Sequence, residues 1–153
     1  GDVVIGIESS GLHSNGYTLI NDMLWRNKIF YKEMPELLTP TTIYAPLIQQ
    51  LLDEVPILGM SHITGGGLPE NLPRCLPAGL TVDVDYSAWE RPELFNKIQE
   101  AGDIAEKEMR NVFNCGIGFC LVVPQEVATL TQTLIADTPF GMKSWIIGTV
   151  IDR

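Results

Sequence analysis

The chain has 153 residues, a formal net charge of −9 and a 45 % share of hydrophobic residues. That length is natural for one domain with a respectable core. The acidic balance excludes a nucleic-acid-binding face, which needs clustered Lys and Arg to neutralise phosphates. No apolar run approaches the ~20 residues that span a bilayer, and no basic segment leads into an apolar stretch as in a signal peptide. A soluble, cytoplasmic domain with no membrane partner is expected.

In chain order, the β-branched run over 3–9 predicts a strand. A helix fits 16–26, with Ser14 and Asn15 as N-caps and Leu19, Ile20, Met23 and Leu24 at helical spacing. Residues 27–40 read as a loop. A second helix fits 43–54, with Pro46 in its first turn, where proline is tolerated. Residues 57–63 predict a strand ended by three glycines, followed by a short helix over 69–74. Residues 81–85 alternate with period two, which predicts a strand with one solvated face. Helices over 92–101 and 104–110 follow, then a strongly apolar strand over 117–123, a helix from Pro124 to about Ile135 and a last strand over 144–151. The order predicts class α+β, a mixed β-sheet packed with helices.

Three junctions carry glycine among polar residues: 9–16 (Ser-Ser-Gly-Leu-His-Ser-Asn-Gly), 62–67 (His-Ile-Thr-Gly-Gly-Gly) and 113–118 (Phe-Asn-Cys-Gly-Ile-Gly). Glycine permits close approach of backbone to a ligand, and helix N-termini offer unpaired N–H groups to anions. The three together predict a converging pocket for a polar, phosphorylated ligand. In the second junction, Thr64, Gly65, Gly66 and Gly67 read either as a loop that wraps an oxyanion or as a tight strand-to-helix crossover. The segment is not a P-loop, since the G-x-x-x-x-G-K-[ST] pattern is absent. Glu70 and Asn71 either orient a ligand or complement the helix start. Asn114, with Gly116 and Gly118, either sets an amide beside a ligand or marks a bulged strand entry.

His13 reads as a hydrogen-bond donor or general acid/base, or else as a residue that braces its loop. His62, at the end of an apolar strand, reads as a core histidine bonded to backbone. Ser9, Ser10 and Ser14 lack a nucleophile-elbow pattern and read as hydroxyl contacts or caps. The two histidines have no carboxylate at i, i+4 spacing, so no metal site is predicted from this chain alone. Cys75, Cys115 and Cys120 lack C-x-x-C spacing and read as free buried thiols. The acidic residues at 83 and 85 and over 100–108 read as solvated faces.

The run from Gly6 to Leu19 (GIESSGLHSNGYTL) resembles the opening of the C-terminal domain of the phosphoribosylformylglycinamidine cyclo-ligases, also called aminoimidazole ribonucleotide synthetases. Leu38 to Tyr44, Gly59 to Pro77 and Met109 to Gly118 match further signatures of that family, in order along nearly the whole chain. The chain departs from it at Thr42 and near Pro46, where basic residues are common. The resemblance implies ATP-dependent closure of formylglycinamidine ribonucleotide to aminoimidazole ribonucleotide in purine biosynthesis. It implies that residues 1–153 are the C-terminal domain of a longer two-domain enzyme, a homodimer at full length. ATP and Mg2+ would be bound mainly by the N-terminal domain, absent here, and this chain would supply one wall of the cleft. His13 would contribute hydrogen bonding or acid/base chemistry, with Ser14, Asn15, Gly16, the 64–67 loop, Asn71 and Asn114 on the substrate or phosphate. The alternatives are a non-catalytic phosphosugar- or nucleotide-binding module, the synthetase domain of formylglycinamidine ribonucleotide amidotransferase, or another relative such as selenophosphate synthetase. The abrupt ends at Gly1 and Arg153 read as cuts from a longer polypeptide.

Overall fold

A computed structural model describes residues 1–153. Five strands, β1 (Val3–Glu8), β2 (Gly59–His62), β3 (Leu80–Val84), β4 (Ile117–Val123) and β5 (Ser144–Asp152), form one sheet in the order β2-β4-β1-β5-β3. Six helices accompany it: α1 (Tyr17–Trp25), α2 (Ala45–Glu54), α3 (Gly67–Asn71), α4 (Glu93–Gly102), α5 (Glu106–Val112) and α6 (Ala128–Asp137). The α+β class is as expected, but the sheet is not mixed: all four strand pairings are antiparallel. The alternation of strand and helix in sequence suggested crossovers between parallel strands. Instead α1, α4 and α5 pack on one another in a cluster of their own, so they impose no parallel return.

Helices cover both faces of the sheet. Val3, Ile5 and Ile7 of β1, with Leu121 and Val123 of β4, pack on α2 and α6. Val4, Cys120 and Val122 face the other way, toward Leu68, Leu72 and Trp89. An interior strand covered on both faces reads as a continuous apolar run, which is why β4 carries no alternation. The Leu47, Ile48 and Leu51 face of α2 is buried at the spacing its sequence predicts.

Four local expectations change. Helix α1 is entered through Gly16 at φ 79°, with no side-chain cap, while the Ser14 hydroxyl lies 3.2 Å from that of Thr41. A left-handed glycine at the cap turns the chain too sharply for Ser14 or Asn15 to reach the helix amides. Helix α3 starts at Gly67, before Pro69, and continues as a 3-10 turn over Leu72–Cys75. Within the expected loop over 27–40, Pro35–Leu38 form another 3-10 turn, whose Leu37 carbonyl accepts the Tyr17 hydroxyl. On the acidic stretch, Glu106 is more than a solvated face: it accepts hydrogen bonds from Arg91, Gln99 and Arg110. Burial raises its carboxyl pKa, but those three donors outweigh it and hold the group below the ordinary value.

Candidate functional site

Strand β1 shifts register between Ile7 and Glu8, which turns the chain out of the sheet into the 9–16 junction. The third junction holds it there. Asn114 is buried; its Oδ1 accepts from the Ser9 hydroxyl at 2.9 Å and the Gly116 amide at 2.8 Å, and its Nδ2 donates to the Gly11 carbonyl at 2.8 Å. Every polar atom of this amide is therefore committed to the fold. Asn114 fastens the first junction to the third and positions that wall of the site, with one Nδ2 hydrogen left without a partner inside the protein.

Asn71 does the same for the second junction. It is 4 % exposed. Its Nδ2 reaches the carbonyls of Thr64 at 3.2 Å, Gly65 at 3.2 Å and Gly67 at 2.8 Å, and its Oδ1 accepts from Thr64 Oγ1 and the Arg74 guanidinium. Drawing the carbonyls of Thr64 and Gly65 toward one amide turns the next N–H of each peptide the opposite way. The Gly65 and Gly66 amides accordingly make no hydrogen bond within the protein, while Gly67 donates to Thr64 at 3.1 Å. Gly67 has φ 58°, and a Cβ there would collide with the Arg110 carbonyl, so the loop lies directly on the end of α5. The loop offers two outward amides on a braced frame, an arrangement suited to an anion.

The first and second junctions face each other: Asn15 Oδ1 lies 3.9 Å from the place a Cβ on Gly65 would take. Ser14 is exposed and Asn15 half-buried beside it. The structure thus brings Ser14, Asn15 and Gly16 together with Thr64, Gly65, Gly66 and Gly67, with Asn71 and Asn114 as supports behind them.

His13 stands at φ 57° and is 3 % exposed. Its Nε2 accepts the Ser10 amide at 3.2 Å. In the neutral ring the proton therefore sits on Nδ1, and Nδ1 is buried with no partner. Burial, with a smaller contribution from nearby His62, lowers the His13 pKa to about 4, so the ring is neutral near pH 7. With Nε2 taken by the Ser10 amide, the group left free to act is the Nδ1–H donor. This geometry suits the donor and bracing readings of His13.

Sequence reasoning placed His62 in the core, and the structure corrects this. Ser61 and Ile63 point inward, so the alternation of β2 turns His62 outward, where it is exposed. The period-two pattern carried that signal once Ile63 was assigned to the core. His62 lies over His13 and Tyr44 at ring-centroid distances of 6.1 Å and 5.9 Å, and stacks on Phe119 at 6.0 Å. Tyr44 was not foreseen either: a tyrosine just ahead of a helix has no sequence mark of its own. It is buried, donates to the Glu8 carbonyl at 2.6 Å, and has its hydroxyl pKa pushed far up by burial.

No group of three or more His, Cys, Asp or Glu side chains lies together as a metal cradle. Cys75, Cys115 and Cys120 are free thiols; Cys115 and Cys120 are buried and Cys75 is half-buried. No helix is long and apolar enough to cross a membrane.

The family described as "AIR synthase related protein, C-terminal domain" matches residues 1–153. Two proteins named phosphoribosylformylglycinamidine cyclo-ligase, from Prochlorococcus marinus strains MIT 9313 and NATL2A, are 48 % and 46 % identical over 98 % and 99 % of this chain. The chain spans 46 % of the length of each. Among solved structures, the hydrogenase maturation protein HypE of E. coli superposes with a TM-score of 0.65 at 22 % identity, over 100 % of this chain and 44 % of that one, which speaks for the fold alone. The chain belongs to the AIR synthase related protein family, as its C-terminal domain.

Proposed function

We propose that this chain forms one wall of the active-site cleft of a phosphoribosylformylglycinamidine cyclo-ligase. The observation that carries the reading is 48 % identity to a protein of that name across 98 % of the chain. In the proposed reaction, ATP phosphorylates the formyl oxygen of formylglycinamidine ribonucleotide, the amidine nitrogen attacks, phosphate leaves and the imidazole ring closes. Such chemistry demands a positioned substrate and fixed donors for the anionic oxygens. Ser14, Asn15, Gly16 and the 64–67 loop take the substrate or phosphate side, with Asn71 and Asn114 holding them in place and His13 supplying a hydrogen bond.

ATP and Mg2+ belong mainly to an N-terminal domain of the same polypeptide in this reading, with a homodimer as the full-length assembly and the cytoplasm as its location. The alternative of a stand-alone phosphosugar-binding module has no observation in its favour beyond the outward amides. The deciding assay is conversion of formylglycinamidine ribonucleotide to aminoimidazole ribonucleotide by the full-length protein, with ATP and Mg2+. Stoichiometric formation of product, ADP and phosphate is expected. A well-folded protein that binds the ribonucleotide but never turns it over would overturn the reading in favour of the binding module.

A further inference from the structure

The neutral, buried His13 holds a donor for which the fold provides no acceptor. A buried N–H without a partner is costly, and native structures rarely leave one. The groups around it narrow the choice of acceptor. The Tyr44 hydroxyl gives its proton to the Glu8 carbonyl, which fixes its oxygen in place but leaves a lone pair as a competing acceptor, the reason Tyr44→Phe enters the test below. Phe119 has no polar atom. The other candidate is His62, exposed and so free to turn, on the end of an edge strand, with no hydrogen bond from its imidazole within the protein. Two imidazoles joined by an N–H···N bond have centroids about 5 Å apart, given a donor–acceptor distance of about 3 Å. The observed 6.1 Å leaves roughly one ångström to close. An exposed side chain covers that distance by a small rotation.

We infer that His13 and His62 act as a relay pair, in which His13 Nδ1–H donates to the inner ring nitrogen of His62 and thereby sets the tautomer that His62 presents to the cleft. The order of bonds is complete: the Ser10 amide donates to His13 Nε2, His13 Nδ1–H donates to His62, and the proton of neutral His62 is left on its outer nitrogen. His62 then meets the ligand as an oriented N–H donor, beside the 64–67 loop that follows it two residues on. His13 is a positioning residue, acting through His62. The same logic orients metal-bound and triad histidines, where the group behind the imidazole decides which nitrogen carries the proton.

The kinetic arm of the test rests on the cyclo-ligase reading, and the spectroscopic arm does not. In full-length protein labelled with 15N-histidine, the resonance lost in His13→Gln identifies His13. At neutral pH it is expected to be protonated at Nδ1, slow to exchange, and shifted by His62→Ala but not by Tyr44→Phe. A proton on Nε2, or a resonance indifferent to His62→Ala, overturns the pair whatever the enzyme's activity.

In turnover assays, His13→Gln keeps an acceptor for the Ser10 amide but loses the Nδ1 donor, and is expected to lower kcat about 10- to 100-fold. His13→Asn, whose amide N–H falls near the Nδ1 position, recovers a large part. A purely bracing His13 predicts the reverse order, and that order overturns the proposal. In a His62→Ala background, His13→Gln is expected to add less than about twofold, because the two act as one unit. Independent, multiplicative losses would show that His13 works without His62. A wild-type enzyme with no ring closure defeats the cyclo-ligase reading and leaves the resonance test of the pair intact.

Discussion

At the scale of single residues, the site is held by amides and rings whose polar atoms are almost all committed. Asn114 is the clearest case. Replacing it with Ala strands the Gly116 N–H and the Gly11 carbonyl in a buried setting. We expect a loss of about 2–4 kcal/mol in urea unfolding, with an unchanged m-value. His13 gives a pH signature. Its pKa is lowered in the folded protein to about 4, against the ordinary 6.5. The unfolded chain therefore takes up a proton first as pH falls. The stability contributed by the neutral ring is complete above pH 6.5 and drains away between 6.5 and about 4. Thermal unfolding across that window should show a steeper decline for wild type than for His13→Gln, and parallel curves would contradict it. These roles were only half legible in the sequence. His13 and the asparagines stood out as polar groups among glycines, but whether each faces a ligand or the backbone depends on partners 103 to 105 residues away, as Asn114 shows.

At the scale of elements, the strands and helices fell close to where periodicity placed them, because each buries a face at its own repeat. The misplacements share a cause. Helix starts at Gly16 and Gly66 are set by left-handed backbone rather than by a capping side chain, so the Ser14 and Asn15 caps fell one or two residues too early and the expected start of α3 at 69 fell two residues too late. Strand direction was hidden for a related reason: apolar pattern tells which residues are inside but not which way the chain returns. The contact of the 64–67 loop with α5 is a further element-scale constraint. Gly67→Ala would force a side chain into left-handed backbone and against the Arg110 carbonyl. A cost of about 2 kcal/mol or more is expected in unfolding experiments. A neutral result would mean that the loop stands off from α5.

At the scale of the whole molecule, an antiparallel sheet covered on both faces delivers its polar junctions to one region while its apolar interior stays closed. The chain nonetheless spans only 46 % of the length of its cyclo-ligase relatives. Under the proposed function, ring closure requires the rest of the cleft. The 153 residues assayed alone should give no product above background, and joining them to the N-terminal portion of a relative should restore turnover. Activity of the 153 residues by themselves would show that the cleft is complete without a neighbour.

Gly118 shows how finely these scales are joined. It lies inside β4 with ordinary strand backbone, so torsion angles alone would admit any residue. Yet the point where a methyl would stand is already claimed by the phenol of Tyr44 and the imidazole of His13 at once. One added carbon would act as a wedge, prising Tyr44 from the end of β1 and His13 from Ser10 in a single stroke. The distance between two chemically distinct rings is thus fixed by a hydrogen atom on a third residue, and a search for function by side-chain identity alone would pass it over.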